Sequence, residues 1–363
     1  MNIRLMLTAL VCFACVSCSA AAESVTRYVW LVTFDGLRLQ ELFTGADQRL
    51  INKEVGGVDD VDDIRRRFWH EDAKVRRERL MPFFWEVIAK QGEVFGSPEA
   101  NSAVWVKNGH YFSYPGYQEL LCGFPDDLID SNAKKFNKNV SVLEWLHDMP
   151  EFHGKVAAFA GWDVFPYVLN VKRSKMYVNA GWQEIEHATD DATKQLINRA
   201  VRETPHYWSA VRFDFLTVAG AMQYLHVQQP RVLYLAIAET DDWCHDGRYD
   251  LYLDAAGHGD SYLRELWEFA QSSEKYRGKT SMIITSDHGR GDGREGWKSH
   301  SDELPGSERV WIAVIGPDTP AVGIRQDVEV TQGQVAASVA ALLGHDFAAT
   351  SPRIAPPLPT HEQ

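Results

Sequence analysis

Five short apolar runs punctuate the chain: Tyr28 to Phe34, Lys155 to Phe159, Val232 to Ala238, Ser281 to Thr285 and Val310 to Ile315. They are rich in branched and aromatic side chains and lack the polar alternation of a strand with one wet face. That is the pattern of strands buried on both sides, as in a parallel sheet. Between them lie stretches with helical periodicity: Leu80 to Lys90, Pro115 to Cys122, Val140 to His147, Asp191 to Glu203, Ser261 to Gln271 and Gln332 to Leu343. Gly344 stands where a helix C-cap glycine belongs. Strands alternating with helices predict an α/β fold, a doubly wound and mostly parallel central sheet with helices on both faces.

Two stretches exceed this minimal core. Residues 46–79 carry Asp59-Asp60, Asp62-Asp63 and Arg65-Arg66-Arg67, and predict a charged surface insertion. The acids lack the spacing of a calcium loop and read as a solvated face. Residues 160–230 are rich in aromatics and suit a small cap over a site. One domain over 23–350 is expected, followed by a Pro-rich tail, 351–363, without chemistry.

The start of the chain reads differently. Arg4 precedes an apolar run from Leu5 to Val16, and Ala20-Ala21-Ala22 offers an A-x-A cleavage signal. This is the build of a secretory signal, 1–22, and predicts a periplasmic or secreted protein. Val16-Ser17-Cys18 resembles a lipoprotein box, but Cys15 stands where Leu or Val is expected, so anchoring at Cys18 is the lesser alternative. Three of the five cysteines fall in this segment. Cys122 and Cys244 remain; they could pair in an oxidising compartment, or serve as small buried residues. No later run is long enough to span a bilayer. The formal charge of −13 argues against a nucleic-acid polymer as partner. It still permits a phosphate ester if metal ions supply local positive charge.

The candidate chemistry sits where predicted strands end, the place where open α/β sheets collect ligands. Asp35 follows the first strand directly. Asp241 and His245, four apart, follow the third. Asp287, His288 and Gly289 follow the fourth, and His300 comes twelve residues later on a loop. Carboxylates and imidazoles suit zinc, which takes oxygen and nitrogen ligands at ~2.0–2.2 Å. Six such groups exceed one tetrahedral ion and match two ions about 4 Å apart, the arrangement that serves displacement at phosphorus. Ser113 is the candidate nucleophile: it precedes Pro115 and a helix closed by Gly123, and reads as an N-cap whose free N–H groups could meet an anion. On this segment alone, an ordinary capping serine is the alternative.

Taken together, these motifs resemble the alkaline phosphatase superfamily, most closely its type I phosphodiesterase/nucleotide pyrophosphatase branch. Ser113-Tyr-Pro-Gly-Tyr-Gln…Gly123 is similar to that branch's T-F-P-N-H-Y…G. Glu239-Thr-Asp241-Asp-Trp-Cys-His245 is similar to E-P-D-x-x-G-H, and Ser286-Asp287-His288-Gly289 to S-D-H-G. The resemblance spans residues 35 to 300. It implies two zinc ions: one held by Asp241, His245 and His300, the other by Asp35, Asp287 and His288 together with Ser113. It further implies an asparagine beside the transferring phosphoryl group, for which Asn132 is the nearest equivalent, with a plain turn residue as the alternative. Serine replaces the branch's usual threonine, and Gly116-Tyr117 replaces its Asn-His pair. The Cys-x-Pro-x-Arg motif of sulfatases is absent, which disfavours sulfate ester hydrolysis.

The resulting expectation is an exported two-zinc hydrolase of small phosphoric esters, phosphodiesterase or phosphatase, working through a phosphoseryl intermediate on Ser113. A phosphoryl transferase or mutase on the same metal site, or a non-catalytic zinc-binding protein, are the alternatives. Lys107, Lys134, Lys135, Arg290 and Arg294 are candidate phosphate clamps. Trp69, Trp105, Trp162, Tyr114 and Tyr167 could stack on a substrate ring or fill the core.

Overall fold

The computed structural model describes residues 24–360. The expected signal segment, 1–22, and Cys18 lie outside the described residues. Eleven strands form among the described residues: β1 (Tyr28–Phe34), β2 (Glu93–Phe95), β3 (Ala103–Trp105), β4 (Val156–Ala160), β5 (Tyr177–Ala180), β6 (Val232–Ile237), β7 (Thr280–Ser286), β8 (Arg309–Val310), β9 (Ile312–Ile315), β10 (Gly323–Ile324) and β11 (Glu329–Thr331). Eight of them make the central sheet in the order β10-β2-β9-β7-β1-β6-β4-β5. Only β9 runs against its neighbours. The remaining three form a small sheet, β11-β3-β8.

The apolar runs explain the double winding. Trp30, Val32 and Phe34 of β1 join one core cluster, while Val29 and Leu31 join the other across the sheet. A strand with both faces dry has no polar side to offer water, so helices must cover both. On one face lies the helix Tyr249–Ser272, and on the other Ser113–Cys122 and Gln334–Leu342. Ser261 to Gln271 is thus only the second half of a longer helix. No helix among the described residues is long and apolar enough to cross a membrane.

Three local departures have physical causes. Val310 to Ile315 is two strands, not one: the chain leaves the small sheet after Val310 and enters the central sheet at Ile312. The helix expected over Leu80 to Lys90 is π-wound at Phe84–Ile88, where Asp260 takes the Phe83 and Phe84 N–H groups at 2.8 and 2.7 Å. The charged stretch 46–79 contains helices Val61–Phe68 and Ala73–Leu80, capped by Asp60 and Asp72. Its apolar positions, among them Leu50, Ile51, Val58 and Ile64, are buried in the core. Residues 160–230 contribute the edge strand β5 and the helix Asp214–Gln228, which packs on β4 and β6. Cys122 and Cys244 are both buried and unpaired.

One ionic knot lies under the sheet's carboxyl end. Arg38 and Glu41 are fully buried; Arg38 Nε donates to Glu41 Oε2 at 2.8 Å, and Nη2 donates to Oε1. Tyr249 and Tyr252 donate their hydroxyls to the same carboxylate at 2.9 and 3.1 Å, and Arg38 Nη1 donates to the Gly291 carbonyl at 3.2 Å. The pair ties the helix Leu39–Thr44, the helix Tyr249–Ser272 and the loop after β7 together. Removing one partner strands a buried charge, which typically costs about 3–5 kcal/mol. Glu41→Ala is therefore expected to lower unfolding stability by about that amount, with Glu41→Gln losing less. Denaturant unfolding followed by tryptophan fluorescence checks this; a loss below about 1 kcal/mol would refute it.

Candidate active site

Strand register builds the site. Phe34 at the end of β1 lies level with Ile237 of β6 and with Ser286 of β7. The next residues, Asp35, Ala238 and Asp287, therefore leave the sheet side by side. Asp35 and Asp287 are buried. Gly36, at φ +59°, turns the chain so that its N–H donates to Asp287 Oδ1 at 3.0 Å. The left-handed backbone favours glycine, and a Cβ there would lie 2.8 Å from Arg290 Nε and 2.9 Å from Asp241 Oδ1, so both side chains would have to shift.

His288 is fully buried, and its Nδ1 donates to the Gly289 carbonyl at 2.9 Å. That fixes Nε2 as the outward atom. It lies 3.3 Å from Asp35 Oδ1, 3.5 Å from Asp287 Oδ2 and 3.8 Å from Asp241 Oδ1. Asp35, Asp287 and His288 form one group that could hold a metal ion; Asp241, His288 and His300 form another. His245, expected beside Asp241 and His300, lies 3.3 Å from Asp241 Oδ2, and its Nε2 is 3.1 Å from His300 Nε2. His288 thus faces both groups, whereas the sequence motifs assign it to one. Tyr111 holds His300 from behind: its carbonyl accepts from Nδ1 at 3.0 Å. Tyr111 adopts φ +55°, an unfavourable conformation for a bulky residue, two positions before Ser113.

Ser113 does not cap its helix. Phe112, in extended conformation, is the N-cap, and Ser113 is the first helical residue. Its hydroxyl is therefore not spent on the helix. Oγ lies 3.4 Å from Asp35 Oδ1 and 3.3 Å from His288 Nε2. The Tyr114 N–H is taken by Asn132 Oδ1 at 3.0 Å, and Pro115 has no N–H. The expected cradle of several free N–H groups is reduced accordingly. This contact holds the Asn132 carboxamide in the wall of the cavity that Ser113 also lines. Gly116 and Tyr117, read in the sequence only as departures from the Asn-His pair, complete the arrangement. Tyr117, one turn beyond Ser113, donates its hydroxyl to Asp35 Oδ2 at 2.8 Å. Gly116 lets the helix press on β7's end, where any Cβ would collide with the Asp287 carbonyl. The i, i+4 spacing of Ser113 and Tyr117 was the available signal.

The electrostatics are those of an unsatisfied anionic cluster. Burial, reinforced by Asp35, pushes the Asp287 carboxyl up, and Asp287 Oδ2 has no hydrogen-bond partner. Burial opposes charge on His288, yet Asp287 and Asp35 hold its imidazole up to about 9. Burial, with His288 and Arg290 nearby, pushes His300 down, so it offers a neutral nitrogen. A carboxylate oxygen without a hydrogen bond, crowded acids and the neutral His300 imidazole are a donor set that fits divalent cations, whose binding would displace the His288 proton.

A cavity of about 740 Å³ opens over Ser113, Asp35, Asp241, His245 and His300. None of the five candidate clamps lines it. Arg290 is buried instead, donating to the Asp241 carbonyl at 3.1 Å and to its Oδ1. Lys134 lines a neighbouring cavity and pairs with Asp163 at 2.6 Å. Of the five candidate stacking rings only Trp162 lines the main cavity; Tyr207 and Trp208, not singled out in the sequence, join it.

Compared by sequence, the chain matches no protein-family model and no curated protein. Solved structures do match it. A protein in the alkaline phosphatase superfamily from Vibrio parahaemolyticus aligns at TM-score 0.51 and 12% identity, over 92% of this chain and 70% of that one. The chain has an alkaline-phosphatase-like fold. A putative sulfatase from Bacteroides thetaiotaomicron aligns at TM-score 0.56 and 11% identity, over 93% and 75% of the two chains. The phosphonate monoester hydrolase of Agrobacterium radiobacter aligns at 0.51 and 11%, over 88% and 74%. These neighbours share the superfamily's mixed α/β architecture without singling out the phosphodiesterase branch.

If the acids await cations, relieving their repulsion should stabilise the metal-free protein. Asp287→Asn is expected to raise the stability of chelator-treated protein by ~1 kcal/mol. Zinc should raise the melting temperature of the wild type but raise that of Asp287→Asn far less. Thermal melts with and without zinc check both; an unchanged wild-type melt at saturating zinc would overturn the metal reading.

Proposed function

We propose that the protein is a divalent-metal-dependent phosphodiester hydrolase that uses Ser113 as its nucleophile. The observation that carries the reading is the Ser113 hydroxyl, free of any capping role, 3.3–3.4 Å from His288 and Asp35 of an acid–imidazole cluster. The superfamily fold, which also serves hydrolases of sulfate and phosphonate esters, supports the reaction class. Two cations, with zinc the best match to the ligand set, would be held by Asp35, Asp287 and His288 and by Asp241, His245 and His300; they would supply positive charge to the phosphoryl oxygens and favour the ionised serine.

The chain's own residues do the rest. Tyr117 fixes Asp35, and Asp35 Oδ1 is the nearest carboxylate to the proton leaving Ser113. Ser113 Oγ bonds to phosphorus as the ester bond to the leaving alcohol breaks. Water then cleaves the phosphoseryl ester and restores the hydroxyl, releasing a phosphomonoester. Asn132, held by the Tyr114 N–H, offers its amide to the transferring group. The charge of the cavity supports a diester: no lysine or arginine lines it, whereas a dianionic monoester calls for a cationic clamp. The N-terminal segment supports action outside the cytoplasm.

Ser113→Ala is expected to cut turnover of bis(p-nitrophenyl) phosphate by at least about 10³-fold while metal content, measured by atomic absorption, stays unchanged. The wild type should hydrolyse that diester faster than p-nitrophenyl phosphate or p-nitrophenyl sulfate. An undiminished rate in Ser113→Ala removes the nucleophile, and a preference for the monoester removes the diesterase reading.

A further inference from the structure

Every residue of the helix Ser113–Cys122 is buried, and one of them is an acid outside the cluster at the strand ends. Glu119, six positions after Ser113, is 1% exposed. A carboxylate taken out of water there is costly unless donors surround it. Burial pushes its carboxyl up to about 7, while the N–H groups of Lys107 and Asn108, the Asn108 amide and the Lys107 charge pull it back. The donors are close. The Lys107 N–H meets Glu119 Oε1 and Oε2 at 3.0 and 2.9 Å, and the Asn108 N–H donates to Oε2 at 2.9 Å. Asn108 Nδ2 adds a third group, donating to Oε2 at 3.2 Å.

Asn108 passes this grip towards the site. Its Oδ1 accepts from the His110 and Tyr111 N–H groups at 2.9 and 3.0 Å. The chain then bends through Tyr111 at φ +55°, a conformation that persists only where the surroundings over-determine it. The bend aims the Tyr111 carbonyl at His300 Nδ1, 3.0 Å away. His300 Nε2 is thereby left facing Asp241, 3.6 Å from Oδ1. The next residue, Phe112, is the N-cap of the helix, and Ser113 follows it.

The segment that leads into the helix is thus fastened to a residue of that same helix, about two turns further on. It carries both the carbonyl that braces His300 and the turn that delivers Ser113. A carboxylate suits the task better than an amide. It presents two acceptor oxygens to three N–H groups, whereas a glutamine presents one oxygen and an NH2 that can only donate.

Building on the phosphodiesterase reading, we propose that Glu119 is a positioning residue: its carboxylate latches the segment 107–112 and, through Asn108 and Tyr111, sets where His300 and Ser113 stand relative to each other. Glu119 touches neither group itself. Its effect therefore falls on the reacting geometry, where small displacements slow turnover more than they weaken binding.

The test compares wild type, Glu119→Gln, Asn108→Ala and the double variant on bis(p-nitrophenyl) phosphate with zinc, at a pH of about 8.5, where the wild-type carboxyl is ionised. Each single variant is expected to lose at least about tenfold in kcat with KM changed less than about twofold. Because both cut one relay, the double variant should fall little below the worse single one. A merely structural acid would lower the melting temperature and leave kcat of the folded protein alone. A kcat within about twofold of wild type in folded Glu119→Gln overturns the proposal, as do losses that multiply in the double variant. Should Glu119→Gln not fold, Asn108→Ala decides by the same limits. A wild type inactive on the diester sinks the diesterase reading instead, and the latch is then decided without turnover. Peptides spanning 106–112 should exchange amide hydrogen at least about tenfold faster in Glu119→Gln, and zinc affinity measured against a competing chelator should fall at least about threefold as His300 loses its brace. Either quantity unchanged overturns the proposal.

Discussion

The constraint on which this structure depends is the placing of several carboxylates in one buried volume. Asp35, Asp241 and Asp287 converge on His288 within 3.3–3.8 Å. Carboxylates gathered around one buried nitrogen, with those of Asp35 and Asp287 within 4.8 Å of each other, cannot all be ionised without compensation. The protein compensates in part from within: Arg290 holds Asp241, and the His288 imidazole keeps a proton that neutral surroundings would remove. The compensation is incomplete, since Asp287 Oδ2 accepts no hydrogen bond and has only the His288 imidazole 3.5 Å away as an ion-pair partner. A fold that leaves a buried carboxylate oxygen unpaired sacrifices stability there, and buried polar groups are almost always satisfied elsewhere in proteins. Cations are the species that make such a cluster favourable.

The surroundings can be understood as the means of holding the acids together. Parallel strands in register deliver Asp35 and Asp287 to one level of the sheet. Gly36 keeps the turn between them tight enough for its own N–H to reach Asp287. The Ser113 helix comes close only because Gly116 has no side chain, and its Tyr117 then secures Asp35. Below, the Arg38–Glu41 knot fixes the loop that follows His288 by gripping the Gly291 carbonyl. Each of these contacts joins residues far apart in the chain. The geometry is therefore a property of the whole domain, and no single motif produces it.

That explains what was legible. Strands β1, β4, β6 and β7 could be read because burial on both faces leaves an unbroken apolar run. The edge strands β5 and β10, and β2 beside β10, are two to four residues long, and β2 opens on Glu93; nothing in so short a stretch distinguishes it from a loop. The acids and histidines were visible because strand ends collect chemistry in this kind of sheet. The role of Ser113 in the helix was misread because a serine before proline looks the same at the cap as at the first helical position. Tyr207 and Trp208 gave no periodic signal, since they sit in an irregular stretch positioned by contacts with Asp246 and Trp243. What sequence could not convey was which way the cations would point: Arg290 and Lys134, both plausible phosphate clamps, are spent on Asp241 and Asp163.

That allocation of charge bears on what the cavity can hold. With Arg290 and Lys134 engaged and no lysine or arginine among the lining residues, positive charge there would have to come from cations at the acid cluster or from a ligand itself. Cations at the acid cluster can neutralise a phosphate beside them, but their influence falls with distance and is screened towards the open mouth.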